Sequence, residues 1–127
     1  MRENPEYVWS ENNSTFYKYK EHWAIRDCYK KYLKYFNLSK YNLDGVDISY
    51  TDFTDSNVKI DPKNRDLRGV ILHDYNLEKS YMAKESYYEG CITDENTCII
   101  RHTKDGEIRY YFNENKDVKV LQLINNQ

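Results

Sequence analysis

Three histidines (His22, His73 and His102), three cysteines (Cys28, Cys91 and Cys98) and 21 acidic side chains are the chain's store of reactive groups. A metal centre needs histidines and cysteines at short, regular spacings. The three histidines fall in three separate segments, and none stands at such a spacing from a cysteine. They read as surface or cap residues, and no metal site is expected. Cys28 lies among bulky aromatics, which favours a buried, inert thiol over a nucleophile. Four glycines in the whole chain (Gly45, Gly69, Gly90 and Gly106) do not make a phosphate-cradling loop. The aspartates recur too regularly for a dedicated acid–base pair. Asp47, Asp52 and Asp66 are expected to hydrogen-bond the backbone of turns. These residues predict no catalytic group, no cofactor and no enzyme.

The elements that carry them follow a rhythm of five. From Phe36 the chain reads FNLSK, YNLDG, VDISY, TDFTD, SNVKI. The central residue is always apolar (Leu38, Leu43, Ile48, Phe53, Val58), and Asn or Asp always precedes it. After a break at Asp61–Asn64 the rhythm resumes as RDLRG, VILHD, YNLEK, SYMAK, centred on Leu67, Leu72, Leu77 and Met82. A period of five fits neither helix nor plain strand. It fits a chain that turns a corner every five residues.

The pattern resembles the pentapeptide-repeat family, whose loose consensus is A(D/N)LXX, over Phe36–Ile60 and Arg65–Lys84. The resemblance implies a mainly β fold: a right-handed quadrilateral β-helix of two to three coils over residues 36–94, with a loop at 61–64. In that family the central residue and the one two before it point inward. Val46, Thr51, Ser56, Val70 and Ser80 suit an inward position, whereas Phe36, Tyr41, Arg65 and Tyr75 are too bulky. Four pentapeptides plus the break give a period of 24 residues. That period sets Asp44 beside Arg68, Ile48 on Leu72, Phe53 on Leu77 and Val58 on Met82.

The flanks lie outside the repeat. Ser14 to Tyr35 is free of Gly and Pro, and Ile25, Cys28, Tyr29, Tyr32 and Phe36 recur at helical spacing. An amphipathic helix over 14–35, started by Asn13 or Ser14, is expected to cap the open end of the solenoid. From Thr97 to Asn126 the chain reads as β. TCIIRHT and EIRYYFN flank Lys-Asp-Gly, a hairpin signal, and Val118–Ile124 suggests a further strand with an edge open to a partner.

At 127 residues the chain is a single domain, 1–127, with a modest core. No apolar run is long enough to span a membrane. An odd number of cysteines and the lack of an apolar N-terminal signal segment suggest reduced thiols and a cytoplasmic protein, bacterial or phage-encoded and then in host cytoplasm. A Cys91–Cys98 bridge is the alternative. Residues 1–40 carry eight Lys and Arg against five Asp and Glu, residues 41–82 five against eight, and residues 83–127 six against eight. The middle is thus mildly acidic and the N-terminal flank mildly basic.

Function is therefore sought in the 14 tyrosines. Tyrosine offers an interface a rigid ring with a polar tip. The candidate protein-binding residues are Tyr50, His73, Asp74, Tyr81, Tyr88, Tyr110 and Tyr111. They suggest a non-catalytic protein–protein binding module, for example a small phage or mobile-element inhibitor of a host defence or nucleic-acid enzyme. A homodimer through the C-terminal segment is a further expectation. The family resemblance adds an alternative, a duplex-DNA mimic acting on DNA gyrase, but a short rod with so little net charge fits it poorly. Lys30, Lys31 and Lys34 beside tyrosines give a third reading, nucleic-acid binding, against which the net charge of −2 argues.

Overall fold

The computed structural model describes residues 4–73, 76 and 88–112. Among the described residues there are six strands: β1 (Tyr7–Glu11), β2 (Ser14–Lys18), β3 (Trp23–Ile25), β4 (Ile71–His73), β5 (Cys98–Thr103) and β6 (Gly106–Tyr111). They form two three-stranded sheets, in the orders β1-β2-β3 and β4-β5-β6. The first is antiparallel. In the second, β4 and β5 run parallel, with Ile71 opposite Cys98, and β5 and β6 form an antiparallel hairpin.

This architecture corrects the expected fold class. The described residues contain no helix, and the protein is not the β-helix or solenoid that the repeat implied. Between β3 and β4 successive passes of chain are joined by isolated parallel bridges, such as Tyr32 with Asp52 and Asn37 with Asn57, and by single backbone hydrogen bonds, without continuous strands. The pairing register differs from the 24-residue expectation as well. Asp52 faces Ile71, and the Tyr50 N–H donates to the Arg68 carbonyl at 2.7 Å. Asp44 therefore does not meet Arg68, which pairs with Asp66 at 2.7 Å.

The five-residue rhythm is a rhythm of turns, made by local hydrogen bonds. In seven units the carbonyl of the buried centre accepts the N–H three residues on: Cys28 from Lys31, Leu33 from Phe36, Leu38 from Tyr41, Leu43 from Val46, Ile48 from Thr51, Phe53 from Ser56 and Leu67 from Val70. From Leu38 to Phe53 and at Leu67, the Asn or Asp before the centre accepts the N–H two residues on. Asp47 takes that of Ser49 at 3.0 Å, Asp52 that of Thr54 at 2.9 Å and Asp66 that of Arg68 at 3.1 Å. Asx side chains do this readily. Each centre is buried, and each such burial contributes about 1.5–3 kcal/mol.

The turns run upstream to Cys28 and Leu33, inside the stretch expected to be helical. Helical spacing there was coincidental: Cys28 and Leu33 are buried centres, while Tyr29 and Tyr32 are exposed. Before them, Asn12 and Asn13 both have positive φ (49° and 62°) and close a two-residue hairpin between β1 and β2. Asparagine tolerates that conformation, so the residue read as a helix cap is a hairpin turn. The antiparallel sheet stands where the helix was expected. Trp9 stacks on Phe16 with centroids 5.4 Å apart, Phe16 on Phe36 at 5.8 Å, and Trp23 meets Tyr41 edge-on at 5.7 Å. The bulk of Phe36 and Tyr41 is thus absorbed by aromatic packing. Burial pushes the Tyr41 phenol up to about 12.

Arg65, also too bulky for the repeat, has a defined task. Its guanidinium donates to the carbonyls of Leu43 and, at 2.9 Å, Val46, the two ends of one turn. Partial desolvation lowers its pKa from the ordinary value. The expected hairpin at Thr97–Asn126 is present as β5–β6, with Thr103 opposite Gly106; the expected strand at 118–124 lies outside the described residues.

Candidate functional site

The turns set two groups of side chains on the surface. The first is a ridge along residues 29–35 with Tyr50 beside it. Because Cys28 and Leu33 are the buried centres, the residues between them face out. Tyr32 is 54% exposed and Tyr35 69%. The Tyr29 and Tyr50 rings meet edge-on at 5.9 Å. The Lys30 ammonium lies 5.2 Å from the Tyr29 ring centre, and that of Lys34 5.0 Å from Tyr35. A hydrogen bond with Tyr35 raises the Lys34 pKa from its ordinary value.

The backbone under this ridge is strained. Lys30 (φ 57°), Tyr35 (70°) and Tyr50 (57°) occupy the third position of their turns in the left-handed region. Elsewhere Gly45, Gly69 and Gly90 fill the same position, as do Asp55 and Asn64, residue types that tolerate it better than lysine or tyrosine. A left-handed residue with a Cβ costs roughly 1–2 kcal/mol. Glycine would relieve that cost, so these side chains are held outward against a local penalty.

The second group is Asp55, His73 and His102. Asp55 is the left-handed residue of the Phe53–Ser56 turn (φ 58°), His73 ends β4, and His102 lies on β5. His73 stands opposite Ile100 in the parallel register, and His102, two residues on, shares that face. Asp55 Oδ1 is 3.1 Å from His102 Nε2 and 3.4 Å from His73 Nδ1. The imidazoles meet edge-on, 4.7 Å between centroids. Side-chain exposure grades from 6% at His73 through 29% at Asp55 to 46% at His102, so the group opens to solvent on one side.

The tyrosines singled out in the sequence divide. Tyr50 and Tyr111 are exposed, whereas Tyr88 and Tyr110 are buried. Tyr88 packs against Phe112 at 5.3 Å, and burial raises its phenol pKa. The pair Tyr110–Tyr111 alternates across β6, as strand geometry requires. His73 is buried and belongs to the aspartate–histidine group. Asp74 and Tyr81 lie outside the described residues. Sequence reasoning missed Tyr29, Tyr32 and Tyr35 as one surface because it placed them on a helix. It missed the aspartate–histidine group because His102 lies 47 residues from Asp55 and only the fold joins them. All three cysteines are buried, and none is joined in a disulfide. No helix among the described residues is long and apolar enough to cross a membrane.

No family model, no curated protein and no solved structure matches the chain.

Proposed function

We propose that this chain is a non-catalytic protein-binding module that docks an acidic surface of another protein on the ridge Tyr29-Lys30-Lys31-Tyr32-Lys34-Tyr35 and Tyr50. The carrying observation is the left-handed backbone at Lys30, Tyr35 and Tyr50, where glycine would sit without strain. Strain kept at a surface position is expected where the side chain has work outside the fold. Exposed tyrosines supply area at low entropic cost, and the lysines over their rings supply charge complementarity. Tagged wild type and a Tyr29→Ser/Tyr32→Ser variant test this in lysate of the source cell. The proposal expects one dominant partner on wild type, weakened by salt and lost from the folded variant. Equal capture by both proteins overturns it.

A second reading rests on the same alternation of lysine and tyrosine, which also suits single-stranded nucleic acid through phosphate contacts and base stacking. A salt-dependent mobility shift of a labelled oligonucleotide, abolished by Tyr32→Ser, favours it over protein docking.

A further inference from the structure

We infer that Asp55, His73 and His102 form a binding site for a divalent transition-metal ion, with Zn²⁺ the best fit. The inference stands independently of the docking ridge. Two imidazoles and one carboxylate make a mixed nitrogen–oxygen donor set, which suits zinc and its neighbours and does not suit Mg²⁺ or Ca²⁺. Zinc–ligand distances of about 2.0–2.2 Å in tetrahedral geometry place ligand atoms roughly 3.3 Å apart. The Asp55 oxygen lies 3.1 Å and 3.4 Å from the two histidine nitrogens, so two edges of the tetrahedron are already drawn. All three donor atoms lie within 4.8 Å of one another. The third edge, between the two imidazoles, is no longer than 4.8 Å, and His102, the most exposed of the three, is the ligand with room to adjust.

The support is set by three separate elements. Asp55 is fixed by its turn, His73 by β4, and His102 by the register of β5. Glu107, opposite His102 in the hairpin, is drawn away by Arg109 at 2.8 Å. The donor set is therefore three protein ligands, with the fourth position facing solvent on the His102 side. Zinc sites with three protein ligands keep that position for water or an incoming ligand.

Calorimetric titration of the chelator-treated full chain with Zn²⁺ tests the site, with Co²⁺ absorbance as a second readout of coordination. The expected result is one equivalent bound, weakened at least about tenfold in His102→Ala and in Asp55→Asn, and unchanged in His22→Ala. His102 is exposed, so its loss leaves the core intact. No saturable binding overturns the inference. Binding that is equal in wild type and His102→Ala, or lost equally in His22→Ala, also overturns it.

Discussion

The Tyr50 ring occupies the space that a Cβ on Gly69 would need. Gly69 itself lies in the left-handed region (φ 68°), so the turn favours glycine there and the ring leaves room for nothing else. Asp94 fixes the same corner by accepting the Gly69 N–H at 2.9 Å. Gly69→Ala is expected to destabilise the protein by about 1–2 kcal/mol from the backbone alone, and by more while Tyr50 is present. In a double-mutant cycle with Tyr50→Ala, denaturant unfolding should show coupling of about 0.5–3 kcal/mol. Additive effects would mean that ring and glycine do not meet.

Arg65 links two carbonyls of the Leu43–Val46 turn. Arg65→Met keeps the aliphatic stem and removes the donors. Hydrogen bonds to charged groups are worth about 1.5–3 kcal/mol each, and a loss in that range is expected from urea unfolding. Arg65→Lys should recover only part, because one ammonium cannot reproduce the guanidinium fork.

How much of this was legible in the sequence depends on how local each signal was. The turns at Leu43, Ile48 and Phe53 were legible, because an Asx side chain and a carbonyl three residues back fix each one within five residues. Strand against helix between Ser14 and Tyr35 was not. Aromatics at helical spacing mimicked a stripe, while the decisive signal was Asn12-Asn13, a pair that accepts positive φ. The pairing of successive passes was not legible either. Asp52 faces Ile71 because the Asp61–Asn64 segment itself makes a turn, with the Arg65 N–H on the Pro62 carbonyl at 3.3 Å, and does not loop out as an insertion. The aspartate–histidine group has no local signature at all.

Acid should weaken the fold through particular carboxylates. Arg68 holds the Asp66 carboxyl below the usual range. At Asp94 burial works upward, but N–H donors from Gly69, Asn96 and Thr97, with the Thr97 hydroxyl, hold it below its ordinary value. A folded pKa below the unfolded one gives stability that is present above the unfolded pKa of about 3.9 and lost as pH falls through the folded value. The urea midpoint should therefore change little between pH 7 and pH 5 on their account and fall below about pH 4. Asp94→Asn should flatten that fall; an unaltered profile would remove Asp94 from the account.

The thiols give the opposite sign. Burial pushes Cys28 up to about 12 and Cys98 up to about 11. Raised folded values contribute stability that is present below the unfolded thiol pKa of about 8.5 and lost as pH rises toward the folded values. At pH 8 a thiol reagent should leave the native protein unmodified and label all three cysteines once it is unfolded. Rapid labelling of Cys28 in the native state would contradict its place in the core.

The most direct measurement of the docking claim is the retention of a captured partner by Tyr35→Gly. Glycine relaxes the left-handed corner, so this variant should fold at least as stably as wild type, with a gain of up to about 1–2 kcal/mol. The account predicts that it nevertheless loses the partner that wild type holds. Undiminished capture by a stably folded Tyr35→Gly protein would contradict the ridge as the docking surface.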